Sequence, residues 1–422
     1  MEDITADTSI DSSLAETGFF QRWCRQTLFA QLKKLNRGYL VIEDAQGSHC
    51  FGHPRDKNSL HAHISIHDMS AYRKILFGGS IGAGEAFMHG EWSSPCLVSV
   101  VQIMASNLKV TKSMGRGWSW LNAGINKCAH LLNANSLSGS KKNISAHYDL
   151  GNDFFRLFLD PTLMYSAAIF PTEDCGLDVA ALHKLETVCQ KLKLTEEDHL
   201  LEIGTGWGGM AIYAAKNYGC RVTTTTLSKE QFEHAKAAVR DAGLEDQVTL
   251  LLKDYRELHG CFDKLVSIEM IEAVGHEYYD TYFRKCSSLL APDGLMVIQA
   301  ITISDQRYHT AKSSVDFIQK YIFPGGGLPS NEVMTSGVRR CTDMMVVDLH
   351  DIGWDYAQTI YHWRERFHHQ LEQVKSQGFD EVFCRMWDFY LAYCEGGFKE
   401  RAISTVQLVM AKPYAKSLPR RG

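Results

Sequence analysis

The chain has 422 residues, 45% of them hydrophobic, enough for one large catalytic domain and a smaller companion, each with its own core. A formal net charge of -5 excludes a duplex nucleic-acid binder, whose affinity rests on a basic surface that neutralises phosphates. The twelve cysteines contain no CxxC pair and no zinc-ribbon spacing, so neither a metal cluster nor a disulfide framework is indicated, and reduced thiols in the cytoplasm are expected.

The opening MEDITADTSIDSS is acidic and polar, the opposite of a secretory signal. A helix to about Leu35 is followed by short strands at 39–42, 49–51 (after a Gln46-Gly47 turn) and 60–66, a pattern that predicts a small α+β domain over 1–106. His61, His63 and His67 put two imidazoles on one strand face. Such spacing could suit a metal, but the polar face of a half-buried strand is the reading preferred, and no metal is assigned. The longest apolar run, from Cys96 to Ala105, is interrupted by Ser99 and Gln102 and is too short to span a bilayer.

A linker rich in Gly, Ser and Asn is expected over 107–143. No acid occurs between Glu91 and Asp149, while Lys109, Lys112, Arg116, Lys127, Lys141 and Lys142 are interleaved with Trp118 and Trp120. Indoles among cations suit docking on anionic headgroups; the alternative is a solvated linker whose tryptophans pack on the catalytic domain.

From residue 177 the pattern turns to strands alternating with helices. A helix to Leu194 is followed by the strand HLLEIG, a helix through Tyr218, the strand CRVTTTTL and a helix to Ala242. Further strands are expected at 248–252, 264–268 and 295–301, and mostly helix after Tyr356. This alternation implies a parallel sheet with helices on both faces.

The loop Glu202-Ile203-Gly204-Thr205-Gly206-Trp207-Gly208-Gly209 follows an apolar strand and opens a helix, so its glycines allow a tight turn and close approach of a ligand to the backbone. A nucleotide dehydrogenase is the rival reading. Glu202 favours S-adenosylmethionine, because an acid there can engage a methionine ammonium or a nearby backbone group and would repel a pyrophosphate. The next strand ends in Thr226-Leu227-Ser228 and then Gln231, hydroxyls and an amide where nucleotide sites usually present an acid to the ribose. Asp254 and Tyr255, after the third strand, are an acid and a ring able to hold and cover an adenine; an exposed acid beside a packing tyrosine is the plain alternative.

The segments HYDLGNDFFRLFLDPTLMYSAAIF, LLEIGTGWGG, TLSKEQ, SIEMIEAVGHEYYDTYF, FIQKYIFPGGGLPS and YAQTIYHWRERF occur in an order that resembles the cyclopropane fatty acid synthase and mycolic acid methyltransferase family, from about Ser145 to Val409. GEAFMHGEWSSP is similar to the leader domain of the longer synthases. The resemblance implies a Rossmann-like class I methyltransferase with a mixed seven-stranded sheet over 144–422, beside the smaller α+β domain. It implies cofactor contacts at Tyr165, Ser166, Leu200, Leu201, Glu202, Ile203, Gly204, Thr205, Gly206, Trp207, Thr226, Leu227, Ser228, Gln231, Tyr255 and Arg256. The implied reaction is methyl transfer from S-adenosylmethionine to a double bond of a phospholipid acyl chain, giving a cyclopropane or a methyl-branched alkene.

A carbocation forms in such a reaction, so the site must be dry and aromatic, and Phe154, Phe155, Tyr165, Phe170 and Tyr356 are candidate wall residues, each also suited to a plain core role. The resemblance implies a bound bicarbonate as base, held by residues that map to Glu272, Ile301 and Tyr356. It also places Ala167 where the family has a cysteine and Gln299 where it has a histidine. An amide still donates to an oxyanion but cannot become cationic, so weaker or altered anion binding, or Glu272 acting directly, is expected. Cys394 lies where the family has a cysteine once thought catalytic, and His147 with Tyr148 are candidates to cap the cofactor pocket. The implied partner is the bilayer surface, met from the cytoplasmic side, and a homodimer is left open. Two rival functions are a methyltransferase for a soluble small molecule, which needs no lipid-docking leader, and a silent lipid carrier or cofactor sensor that has lost its base.

Overall fold

The computed structural model describes residues 9–53, 60–108, 110, 150–416 and 418, with side chains from residue 18 onward. The basic, tryptophan-bearing stretch with Lys109 to Lys142, and the His147-Tyr148 pair, lie outside the described residues. The chain divides into two compact units, one of Met1–Ile125 with Asp380–Gly396 and one of Asn126–Phe379 with Gly397–Gly422.

In the first unit a four-stranded sheet has the order β2-β1-β3-β4, with β1 Tyr39–Asp44, β2 Gly47–Gly52, β3 His61–Ile66 and β4 Trp92–Ser93. β1 and β2 form an antiparallel hairpin, closed at Asp44 opposite Gly47, and β1 runs parallel to β3. The helix Ser9–Leu32 brings Arg25 Nε to Asp44 Oδ2 at 2.6 Å, and Phe29 against Phe51 and Tyr72 at ring separations of 4.8 and 5.7 Å. The glycine-rich FGGSIGAGEAFM, to which the sequence reading assigned no element, lies in the helix Ser70–Met88, interrupted at Gly79 (φ 56°). The helix Glu381–Lys399 presents Phe389 to Phe87 and Trp92, at 5.7 and 6.4 Å, and Arg385 to the face of Phe87 at 5.8 Å. Thus a segment distant in sequence completes this core. His63 faces Glu43 at 3.2 Å and His67 bonds to Ser93 at 2.7 Å; among the described residues no group of three His, Cys, Asp or Glu is placed to hold a metal.

The second unit holds a seven-stranded sheet of order β10-β11-β9-β8-β5-β6-β7, formed by β5 His199–Ile203, β6 Arg221–Thr226, β7 Val248–Leu252, β8 Phe262–Ile268, β9 Leu290–Ile303, β10 Met345–Asp351 and β11 Ile403–Ala411. Five strands run parallel, from β7 to β9; β11 is antiparallel to β9, and β10 antiparallel to β11, so the sheet is mixed. The mixed seven-stranded sheet implied by the resemblance is thus present; strand–helix alternation revealed its parallel part, and β10 and β11, which that pattern does not show, complete it. Alternation along β5 sends Leu200 to one core, with Leu185, Val188 and Met210, and Leu201 and Ile203 to the other, with Tyr282, Phe283 and Met296. With apolar residues on both faces, the sheet leaves its chemistry for the strand ends, where the loops after β5, β6 and β8 gather.

Candidate active site

The loop after β5 is pinned to β6, because Gly204 and Thr205 both donate their N–H to Thr225 O at 3.0 Å. Gly206 has φ +53°, and a Cβ on it would meet nothing within 4 Å among the described residues. Open space beside a left-handed glycine fits a ligand lying close to the backbone. Below the loop, Glu202 is buried and accepts from Thr224 Oγ1 at 2.6 Å, and that hydroxyl bonds in turn to Thr205 Oγ1 at 2.6 Å. Burial pushes the Glu202 carboxyl up to about 8, against the pull of Thr224 and Lys184.

The helix Lys229–Asp241 starts at Ser228, whose hydroxyl accepts from Gln231 N at 3.2 Å, while Thr226 Oγ1 donates to Gln231 Oε1 at 3.0 Å. Leu227 between them is half-buried. The hydroxyl-and-amide strand end read from the sequence is thus a capped, self-bonded turn. After β7, Asp254 accepts from Arg256 Nε at 2.7 Å and from a terminal guanidinium nitrogen at 2.7 Å. Tyr255 turns inward, its ring against Tyr282 at 5.4 Å and its buried hydroxyl without a hydrogen-bond partner among the described residues. Leu200 and Leu201 are fully buried core side chains, leaving only their backbone for a ligand.

An aromatic run leads from this loop toward a second acidic centre. Trp207 packs on Phe155 at 5.0 Å, Phe155 on Tyr165 at 5.3 Å, Tyr165 on Trp363 at 5.3 Å and Trp363 on Tyr356 at 6.0 Å. Trp207 also donates through Nε1 to Asn152 Oδ1 at 2.6 Å. Of the other proposed wall residues, Phe154 packs among Phe155, Phe158 and Phe379, and Phe170 stacks on His362 at 5.6 Å.

The second centre is built around Glu269, at the end of β8. Its Oε1 accepts from Ala167 N at 2.9 Å and Gln299 Nε2 at 2.8 Å, and its Oε2 accepts from Tyr356 OH at 2.8 Å. Its own N–H donates to Gln299 O at 2.7 Å. Glu269 holds a left-handed φ of +50°, a conformation disfavoured for a residue with a Cβ. Glu272, one 3-10 turn further on, accepts from Ile301 N through Oε1, whereas its buried Oε2 has no partner among the described residues.

The two acids behave differently. Burial and the nearby charge of Glu269 push Glu272 up to about 8, so it holds a proton at neutral pH. Burial raises Glu269 as well, but its three donors and Lys184 act in the opposite sense. The pair therefore carries its negative charge on Glu269. Lys184 is a fully buried ammonium that donates to Ser166 Oγ at 2.9 Å; burial lowers it to about 8, opposed by Glu269, Asp160 and Glu202.

The orientation of Gln299 is fixed from behind. Lys191 Nζ donates to Gln407 Oε1 at 2.7 Å, and Gln407 Nε2 donates to Gln299 Oε1 at 2.9 Å. Because an ammonium can only donate, each amide in turn is forced to aim its NH2 toward Glu269. On the other side, Gly327 N donates to Glu272 O at 2.9 Å and Gly327 O accepts from Tyr279 OH at 2.8 Å, which holds the FPGGGLPS block against the acids.

Five residues singled out from the sequence, Ala167, Glu272, Gln299, Ile301 and Tyr356, meet here, but Ala167, Gln299 and Tyr356 turn to Glu269 rather than to Glu272. Cys394 belongs to the Asp380–Gly396 segment of the other unit. Sequence reasoning passed over Glu269, Lys184, Gln407 and Lys191. Glu269 was legible in part, standing three residues before Glu272 in SIEMIEAVG.

The S-adenosylmethionine expectation is compatible with the open side of Gly206, the self-bonded Thr226 turn and the buried Glu202. The bicarbonate expectation is not, since the donors assigned to that anion already meet a carboxylate of the chain itself.

The family model described as mycolic acid cyclopropane synthetase matches residues 135–408. The chain is 38% identical to a tuberculostearic acid methyltransferase of Mycobacterium tuberculosis, over 81% of each chain. It is 35% identical to the cyclopropane-fatty-acyl-phospholipid synthase of Escherichia coli, over 85% of this chain and 90% of that one. Among solved structures, a mycolic acid cyclopropane synthase in complex with SAH and CTAB aligns with a TM-score of 0.60 at 31% identity, over 64% of this chain and 98% of that one.

Proposed function

The chain belongs to the mycolic acid cyclopropane synthetase family, and from that premise we propose that it transfers a methyl group from S-adenosylmethionine to a double bond of an unsaturated phospholipid acyl chain. The observation that carries this reading is the aromatic run from Trp207 in the glycine loop to Tyr356 at Glu269, which joins a cofactor-type loop to a buried carboxyl group. S-adenosylmethionine, when bound, supplies an electrophilic methyl on a sulfonium sulfur. Its holders are the backbone of 203–207, with Glu202 beneath and the Thr226–Gln231 turn beside it.

What the chain itself does follows from its residues. The rings of Tyr165, Phe155 and Trp363 exclude water and offer their faces to a chain carbon that turns cationic. Lys184 balances the buried acids, and Tyr356 and Gln299 hold the acceptor in one orientation. The relatives include both a tuberculostearic acid methyltransferase and a cyclopropane-fatty-acyl-phospholipid synthase, so a methyl-branched and a cyclopropane product both stay open for this chain. The product here is set by which C–H bond faces the acceptor.

Docking at a bilayer surface from the cytoplasmic side belongs to the same proposal. It is supported by exposed Phe19 and Phe20 on the first helix, and by the fact that no helix among the described residues is long and apolar enough to cross a membrane.

Incubation with unsaturated phospholipid vesicles and methyl-labelled S-adenosylmethionine, followed by mass spectrometry of the released fatty acids, is expected to place label in the acyl chains. Label confined to a water-soluble product would defeat the proposal.

A further inference from the structure

We infer that Glu269 is the proton acceptor of the reaction, a carboxylate built into the chain that takes the place of a dissolved anion. The inference rests on the methyl-transfer reading above and specifies its last step.

Three donors from three separate elements converge on one side chain. They are the backbone N–H of Ala167, the Gln299 amide on β9 and the Tyr356 hydroxyl on the helix Gly353–His369. A carboxylate and a bicarbonate present the same planar pair of oxygens, so a site that saturates one leaves no donors for the other. Ala167 adds no side-chain donor, and Gln299 is aimed by Gln407 and Lys191, so the frame is completed for an anion that is already covalently attached. The left-handed backbone at Glu269 points the same way. A disfavoured conformation persists where surrounding contacts over-determine it, as the three donors do here. Glu272 is the less suitable acceptor, having, among the described residues, one donor and an unpartnered oxygen, and a proton of its own.

The step balances as follows. The π pair of the acyl double bond forms the new C–C bond as the methyl–sulfur bond breaks toward sulfur, leaving the second alkene carbon short of a pair. A neighbouring C–H bond then breaks, its proton passes to a Glu269 oxygen, and its electron pair goes to that carbon. A C–H of the transferred methyl closes a three-membered ring; a C–H of the chain makes a new double bond. The Glu269 proton is released to solvent before the next turnover.

Glu269→Gly tests this directly, because glycine accepts φ +50° and leaves the three donors facing a void of anion size. Wild type is expected to work at the same rate in carbon-dioxide-free buffer and with added bicarbonate. The variant should lose about 100-fold or more in rate, the scale of a lost general base, and bicarbonate or formate should restore about tenfold. Binding is read separately by broadening of the carbon-13 bicarbonate resonance: none for wild type, clear broadening for Glu269→Gly. Glu269→Gln should bind no bicarbonate and show no rescue. A Glu269→Gly enzyme within about threefold of wild type without added anion, or a wild type that binds and requires bicarbonate, overturns the assignment. Should wild type methylate no acyl chain at all, the proposed function fails by itself. The resonance arm then decides on Glu269: broadening by the variant alone supports it, and broadening by both proteins or neither overturns it.

Discussion

Tyr356 donates to the same carboxylate that Gln299 and Ala167 hold, and each of these bonds favours the ionised form of Glu269. Removing one should therefore raise the pKa of Glu269. Tyr356→Phe is expected to shift the acid limb of the kcat profile to higher pH while leaving S-adenosylmethionine affinity unchanged, read from rates between pH 5 and 9 and from a cofactor titration. Glu202 offers a stability test. Its carboxyl ionises near 4.5 in the unfolded chain and at about 8 in the folded one, so the unfolded state releases its proton first and stability falls as pH rises between those values. Glu202→Gln cannot titrate; its melting temperature should gain on wild type steadily from about pH 5 to about pH 8, measured by calorimetry, and a constant difference would contradict the assigned burial. The importance of Glu269 was hidden in the sequence for a physical reason: its partners lie 102, 30 and 87 residues away, and its backbone angle has no local signature. What could be read was an imbalance, since two neutral residues, Ala167 and Gln299, stood where donors to an anion were expected.

Among the elements, the parallel strands and their helices were legible because each carries its own period, and β7 falls at 248–252 as expected from its flanking breaks. The helix Ser70–Met88 was not, as its glycines suppress the local signal and its helical state depends on packing against the first helix. β11 was missed because it follows a long aromatic helix, and its place beside β9, with Gln407 opposite Gln299, is fixed by non-local pairing. Two element-scale tests follow. Ser228→Ala removes the cap of the helix Lys229–Asp241 and should cost about 1 kcal/mol in denaturant unfolding. Gly327→Ala places a Cβ 2.6 Å from His276 Nε2, so the imidazole or the FPGGGLPS block must shift; an unfolding penalty of about 1–3 kcal/mol is expected, with a reduced kcat if the block moves from Glu272.

At the scale of the whole molecule, length and composition suggest two domains; the chain divides into two compact units with other bounds, the expected 107–143 linker lies largely outside the described residues, and no local pattern assigns Asp380–Gly396 to the first unit. Phe389 against Phe87 and Trp92 is a tertiary fact, invisible to periodicity. A fragment of 144–422 should therefore expose the apolar face of that helix, melt below the full chain and bind a hydrophobic dye such as ANS, whereas equal melting and no dye binding would show that the helix needs no such cover. The late return of the chain also sets an order on synthesis. As the polypeptide leaves the ribosome, the first sheet waits for a helix made some three hundred residues afterwards, and the larger sheet waits for β11, which slots between β9 and β10 although it follows both in sequence. Neither unit is whole until residues 380–411 have emerged, so until then the nascent chain carries unsealed hydrophobic surface, a natural client for chaperones.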